Sequence, residues 1–220
     1  VTIGTYLKQL GFNVDYAPVA DVLTNPGNTA IGTRSFGSDA SMVADMVIKE
    51  LEGLSSQGVF GAVKHFPGQG GVSGDSHDGA VTLDKSLEEL MQTELVPFQK
   101  ALENGVSFVM VGHISVPQVV GDNTPASLSQ MMVSNVLREQ LGYQGIVITD
   151  AMNMGAVTGN YTADQAAVMA VNAGVDMILM PQDYETAYNG LLQAVQDGTI
   201  SEERIDESVE RIVKVKLQMQ

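Results

Sequence analysis

Residues 58–70 read GVFGAVKHFPGQG, and this stretch carries the pattern from which the fold of the chain can be predicted. A glycine that stops a helix comes first, an apolar run follows over 59–63, and a polar turn around Pro67 and Gly68 comes last. A helix-stopping glycine and then an apolar run recur at Gly11, Gly105, Gly145 and Gly174. Nearly continuous apolar runs of this length are typical of parallel strands that are covered on both faces.

Alternating strand and helix patterns extend this prediction along the whole chain. Strands are predicted at 14–19, 59–63, 107–111, 146–149 and 177–180. Helices are predicted at 41–57, 87–104, 130–141 and 201–218. The pattern indicates an α/β fold built from βα units. Polar, glycine-rich segments follow the strands, and in such folds the loops after the strands carry the chemistry, so we expect the functional site there.

The composition excludes several classes of function. Of the 220 residues, 11 are Lys or Arg and 26 are Asp or Glu, which gives a formal net charge of −15. This charge repels nucleic acid and anionic membrane surfaces, so neither is expected as a partner. Cysteine is absent, which excludes disulfides, a thiolate nucleophile and a cysteine-ligated metal. No apolar run reaches the roughly 20 residues that a membrane span needs.

An acid–base pair is predicted in the glycine-rich segment after the second strand. Asp75 and His77 are two residues apart, so the carboxylate can bind one imidazole nitrogen, fix the tautomer and leave the other nitrogen free for proton transfer. Short polar pairs of this kind also serve as ordinary turn caps. The place of the pair after a buried strand, near Lys64 and His65, favours the functional interpretation.

Asp150 ends the fourth predicted strand. A carboxylate at the mouth of a βα array can act as a nucleophile, a general base or a metal ligand. A cap for the following turn explains its position equally well.

Asp21, Arg34 and His113 also follow predicted strands. Asp21 and Arg34 can each bind a polar ligand, although an ion pair between the two is the simpler expectation. A single histidine at the place of His113 is usually structural, yet all 3 histidines of the chain lie at strand ends.

Five motifs resemble one enzyme family: APVADV at 17–22, IGTRSFGSD at 31–39, KHFPGQG at 64–70, DSH at 75–77 and ITDAMNM at 148–154. The set resembles glycoside hydrolase family 3, in particular its β-N-acetylhexosaminidase branch, over essentially the whole chain. The resemblance implies a retaining glycosidase on a (β/α)8 TIM-type barrel that uses neither a cofactor nor a metal.

The resemblance also implies roles for the candidate residues. Asp150 would be the nucleophile that forms a covalent glycosyl-enzyme, His77 the acid/base, and Asp75 its partner in a dyad. The residues implied to bind or line the sugar site are Arg34, Lys64, His65, Asp21, His113 and Met152. The implied substrate is a terminal β-linked N-acetylglucosamine in an oligosaccharide or a muropeptide of peptidoglycan turnover. The location, in a bacterial cytoplasm or outside the cell, is left open.

The chain departs from the family pattern in two respects. The family's D-x-E-G-G-type segment, which precedes a sugar-binding arginine, does not occur, and Gln69 stands where many relatives carry histidine. Five predicted strands are also fewer than the eight of a complete barrel. We therefore expect residues 1–220 to be the C-terminal major part of a single catalytic barrel domain that an N-terminal segment completes.

Three alternatives stay open from the sequence. A phosphorylase would use phosphate in place of water as the acceptor. A histidine acid/base repels phosphate less than a carboxylate does. A metallohydrolase would bind its metal through His65, His77, His113 and Asp150, although the sequence has no H-x-H or H-E-x-x-H pair. A fragment that binds sugar without turnover would follow from the strands that are missing.

Overall fold

A parallel sheet forms the centre of the fold in the computed structural model, which describes residues 1–219. The strands are β1 (Val14–Asp15), β2 (Phe60–Phe66), β3 (Val81–Thr82), β4 (Phe108–Val111), β5 (Ile114–Ser115), β6 (Ile146–Ala151) and β7 (Met177–Leu179). Five of them pair in the order β1-β2-β4-β6-β7, and β3 and β5 form a second sheet of two strands. All pairs are parallel, so the predicted α/β fold is confirmed.

Three strands differ in length from their predictions by two residues or more, and one of them is β6, which continues to Ala151. β2 continues to Phe66 and therefore contains Lys64 and His65, which were expected at its end. β1 is short, because Pro18 has no N–H to donate to a ladder. The chain after β1 stays beside β2 through hydrogen bonds from Ala62 N to Ala17 O (2.8 Å) and from Ala20 N to the Lys64 carbonyl (2.6 Å).

Helices connect the strands. They are α1 (Thr2–Gln9), α2 (Ala40–Ser55), α3 (Leu87–Gln92), α4 (Val96–Glu103), α5 (Pro117–Val120), α6 (Gly155–Thr158), α7 (Ala163–Ala173), α8 (Tyr184–Gln196), α9 (Glu202–Gln218) and a π-helix (Met131–Gln140). Asp39 caps α2 by accepting a hydrogen bond from Met42 N at 2.7 Å, and Ser201 caps α9 by accepting one from Arg204 N at 3.1 Å. These side chains satisfy amide groups that have no partner inside their helices.

The single helix predicted over 87–104 is wrong, since the segment forms α3 and α4 with a break at Thr93. Pro97 explains the break, because proline fits the first turn of a helix but removes a hydrogen bond from a helix interior. α3 has its own start signal, a capping box between Ser86 and Glu89.

The main sheet is curled and open, and over residues 1–219 its edge strands β1 and β7 do not pair with each other. β4 is buried along its whole length, as expected for a strand with cover on both faces. On one face Phe66 packs edge-to-face against Phe98, with ring centroids 5.5 Å apart. No helix within residues 1–219 is long and apolar enough to cross a membrane. The complete eight-stranded barrel stays a prediction.

Asp176 joins three elements at the start of β7. Its fully buried carboxylate accepts hydrogen bonds from Arg138 Nη2 (2.7 Å) and Val147 N (2.9 Å) through Oδ2. Through Oδ1 it accepts from Ser208 Oγ (2.7 Å) and Arg211 Nη1 (3.0 Å). One side chain thus connects the π-helix, β6 and α9.

We predict that Asp176→Ala destabilises the protein by about 3–5 kcal/mol, because it leaves the buried guanidinium of Arg138 without its anion. The free energy of unfolding in a denaturant titration measures this loss. Glu52→Ala is the control, since Glu52 pairs with Lys49 in full contact with solvent, and its midpoint should stay at the wild-type value. An unchanged midpoint for Asp176→Ala would contradict the assigned role.

Candidate active site

Polar side chains gather where β2, β4 and β6 end. Lys64 and His65 lie among the last three residues of β2, His113 follows β4, and Asp150 lies near the end of β6. Parallel strands bring these ends to the same edge of the sheet, as the sequence predicts. A cavity of about 590 Å³ lies at the opposite edge, beside residues that precede β4 and β6, and it contains none of the predicted site residues.

A buried carboxylate organises the end of β2. Asp21 is fully buried and accepts hydrogen bonds from His65 N (3.3 Å) and Gln69 N (2.5 Å) through Oδ1. Its Oδ2 accepts from His65 Nδ1 at 2.7 Å. The expected ion pair between Asp21 and Arg34 is wrong, because the carboxylate of Asp21 accepts its hydrogen bonds from His65 in β2 and from Gln69 after it.

His65 faces Asp150 with its other ring nitrogen. His65 Nε2 lies 3.8 Å from Asp150 Oδ2, and the Asp150 side chain is 17% exposed. Asp150 Oδ1 accepts a hydrogen bond from Ala151 N at 2.8 Å. Oδ2 is therefore the carboxylate oxygen that faces His65. Asp21, His65 and Asp150 therefore lie in a row from the protein interior to the mouth of the sheet.

Two cationic side chains flank this row. Lys64 is half-buried, and burial lowers its pKa, while the nearby cation of Arg34 lowers it further and the carboxylates of Asp150, Asp15 and Asp21 raise it. Arg34 is exposed and donates from Nε (3.2 Å) and Nη2 (2.7 Å) to the carbonyl of Ala30.

The predicted hydrogen bond between Asp75 and His77 is present. Asp75 Oδ1 lies 2.7 Å from His77 Nδ1 and accepts a second hydrogen bond from His77 N at 3.0 Å. The backbone bond, and then the imidazole bond, lower the pKa of the Asp75 carboxyl, so it stays ionised at neutral pH. The His77 side chain is 65% exposed, and its Nε2 is free for proton exchange with a ligand.

Gln69 connects the row to the segment with Asp75 and His77, and the sequence did not identify it as a site residue. Gln69 is buried, and its backbone carbonyl accepts a hydrogen bond from Asn28 Nδ2 at 2.6 Å. Its side chain donates from Nε2 to Ser76 Oγ at 3.1 Å. The only signal in the sequence was its place in the KHFPGQG motif, since its partners are far away along the chain, apart from Ser76.

His113 and Met152 are buried beside the site. His113 has both ring nitrogens occupied, Nδ1 by Ser127 Oγ (2.7 Å) and Nε2 by the Ala151 carbonyl (3.0 Å). Burial lowers the pKa of His113, so the ring is neutral and donates from Nε2. Met152 belongs to the apolar core and donates from its backbone to Leu179 O (2.9 Å). Both residues hold the chain that follows Asp150.

The metal site considered from the sequence is not formed by these residues. Within residues 1–219 no group of three or more His, Asp or Glu side chains is arranged to hold a metal ion. His113 has no nitrogen left for a metal, because Ser127 and Ala151 occupy both.

Comparison with known proteins assigns the chain to a family. Residues 1–215 match the family model described as the glycosyl hydrolase family 3 N-terminal domain. The chain is 31% identical to β-hexosaminidase A of Pseudoalteromonas piscicida over 99% of its own length and 40% of the relative's. It is 37% identical to β-hexosaminidase LpqI of Mycobacterium tuberculosis over 97% of its own length and 56% of the relative's.

A solved structure extends the similarity to three dimensions. The glycoside hydrolase family 3 β-N-acetylglucosaminidase of Paenibacillus sp. strain FPU-7 is 41% identical and superposes with a TM-score of 0.97. The match covers 99% of this chain and 42% of that one, so the chain spans about half the length of the relatives it matches, or less. On the family match over residues 1–215 and these relatives, the chain belongs to glycosyl hydrolase family 3.

Proposed function

We propose that this protein is a retaining glycoside hydrolase that releases terminal β-linked N-acetylglucosamine. The observation that carries the proposal is the hydrogen bond of 2.7 Å between Asp75 and an exposed His77, on the same edge of the sheet as the strand-end carboxylate of Asp150. Retaining hydrolysis needs a nucleophile and a separate group that first donates and then accepts a proton. We assign the nucleophile to Asp150 and the transfer of the proton to His77.

In the first step Asp150 Oδ2 attacks the anomeric carbon, and the bond from that carbon to the leaving oxygen breaks. The proton on His77 Nε2 passes to the leaving oxygen, so the alcohol departs neutral and the imidazole becomes neutral. In the second step this imidazole takes a proton from water, whose oxygen displaces Asp150 from the sugar. Asp150 is regenerated as a carboxylate and His77 as an imidazolium.

The surrounding residues support these steps. Asp75 stays ionised because its pKa is lowered, and it stabilises the imidazolium of His77. Asp21 fixes the ring of His65 with Nε2 toward Asp150 and the bound sugar. Lys64 and Arg34 supply donors for sugar hydroxyl groups.

The relatives support the substrate class. Two are named β-hexosaminidases and a third is described as a β-N-acetylglucosaminidase. We propose an oligosaccharide or muropeptide that ends in N-acetylglucosamine as the ligand of this site. We also propose that the open five-stranded sheet is the C-terminal major part of one (β/α)8 catalytic domain, and that the sugar pocket is completed by further strands.

Asp150→Ala should lower kcat/KM for an aryl N-acetyl-β-glucosaminide by about 10³-fold or more, because loss of a covalent nucleophile removes the main reaction path. Release of the aryl alcohol measures this effect. Asp206→Ala is the control, since Asp206 is an exposed carboxylate on α9 and should retain wild-type turnover. Turnover by Asp150→Ala at the wild-type rate would refute the proposal.

The same assay in phosphate buffer shows whether water or phosphate releases the sugar from Asp150. Free N-acetylglucosamine as the product supports hydrolysis. N-acetylglucosamine phosphorylated at the anomeric oxygen shows a phosphorylase, and no turnover together with sugar binding shows a binding fragment.

His77→Ala should lower the rate about 10²- to 10⁴-fold for a phenyl glycoside, whose poor leaving group needs a proton, and far less for a dinitrophenyl glycoside. The matched control is Asp78→Ala at the next exposed position. An equal loss on both substrates would contradict the acid/base role.

Asp75→Asn should lower kcat/KM for the phenyl glycoside more than for the dinitrophenyl glycoside, which leaves without a proton. A neutral amide does not hold the ring of His77 for proton transfer as the carboxylate does. Release of the two aryl alcohols measures the effect. An equal loss on both substrates would show that Asp75 does not support the acid/base role of His77.

A further inference from the structure

The segment that carries the dyad rests on the beginning of α6. We name residues 74–78 the dyad loop. Gly155 N donates a hydrogen bond to the carbonyl of His77 at 3.0 Å, and Ala156 N donates one to the carbonyl of Ser76 at 3.1 Å. The first turn of α6 has amide groups without partners inside the helix, and the carbonyls of the dyad loop satisfy two of them.

The contact is too close for any side chain at position 155. A Cβ atom on Gly155 would lie 2.7 Å from the carbonyl oxygen of His77 and 2.9 Å from the carbonyl carbon of Asp78. Contacts below 3.0 Å are essentially never seen for real Cβ atoms. Both neighbours are backbone atoms, so the overlap is relieved only when the backbone of the dyad loop moves away.

Within residues 1–219, few other hydrogen bonds hold the dyad loop. The hydrogen bond of 3.1 Å from Gln69 Nε2 to Ser76 Oγ is its side-chain connection to the interior, and the Asp75–His77 bond lies within the loop itself. The His77 side chain is largely exposed, so core packing does not set its position.

The segment between Asp150 and Gly155 is firmly held, in contrast. The Ala151 carbonyl accepts a hydrogen bond from His113 Nε2 at 3.0 Å, and Met152 N donates to Leu179 O at 2.9 Å. A clash at position 155 therefore displaces the dyad loop and leaves Asp150 in place.

We propose that Gly155 is a positioning residue that sets the acid/base His77 relative to the nucleophile Asp150. It does so because the absence of a side chain lets the dyad loop lie directly against the helix that follows β6. This inference rests on the proposed function, since it assigns Gly155 a part in the proton transfer by His77.

The test compares Gly155→Ala with the wild-type protein on phenyl and dinitrophenyl N-acetyl-β-glucosaminides. We expect a loss of about 10- to 100-fold in kcat for the phenyl glycoside, because a small displacement of an acid from its substrate costs a large part of its effect. The dinitrophenyl glycoside, which leaves without a proton, should react within about threefold of the wild-type rate. In the His77→Ala background, Gly155→Ala should have no further effect on the phenyl glycoside.

Gly79→Ala is the matched control. It follows the dyad loop directly, and a Cβ atom there has no heavy atom within 4 Å, so its rates on both substrates should equal those of the wild type. A loss for Gly155→Ala that is equal on both substrates, or that adds to the loss of His77→Ala, overturns the proposal because it indicates a general loss of folded enzyme.

Amide hydrogen exchange tests the docking without an enzyme assay. Residues 74–78 and the amides of Gly155 and Ala156 should exchange faster in Gly155→Ala than in the wild type and in Gly79→Ala. Unchanged exchange overturns the proposal. A wild-type protein without Asp150-dependent turnover refutes the proposed function instead, and the exchange rates then still decide whether Gly155 holds the dyad loop.

Discussion

The arrangement of the site depends on the buried carboxylate of Asp21. A carboxylate removed from water is stable only when hydrogen bonds replace its hydration, and Asp21 obtains them from His65 N, His65 Nδ1 and Gln69 N. These partners lie on both sides of the turn after β2. One side chain therefore sets the path of the turn and the orientation of the His65 ring, and through that ring it reaches Asp150.

Two glycines after β2 lie where other residues come very close to the backbone. A Cβ atom on Gly70 would lie 2.0 Å from the carbonyl oxygen of Val22, and one on Gly68 would lie 2.7 Å from Glu94 Cβ. This part of the segment is packed, and its glycines permit close approach of the backbone. Exposed side chains of the proposed site begin only at the dyad loop, where the His77 side chain is largely exposed.

The proposed nucleophile and the proposed acid/base are supported in different ways. Asp150 belongs to β6, whose backbone is paired with β4 and β7 and braced by His113 through Ala151. His77 lies on an exposed loop that is held by Gln69 and by the first turn of α6. A rigidly held Asp150 and a more lightly held His77 suit the proposed reaction, in which the proton donor must follow the departing and then the arriving oxygen atom.

The sequence by itself determined the α/β fold, the approximate positions of the five strands of the main sheet and the Asp75–His77 bond, because each depends on the residue types over a short stretch of chain. It predicted one helix over 87–104 where the proline starts a new one, and it paired Asp21 with the wrong partner. Only the tertiary structure decided that Asp21 binds His65 and Gln69, that His113 has both nitrogens occupied, and that Gly155 touches the dyad loop. These contacts join residues far apart in the chain, and such distances close only when the parallel strands bring their ends to one edge of the sheet.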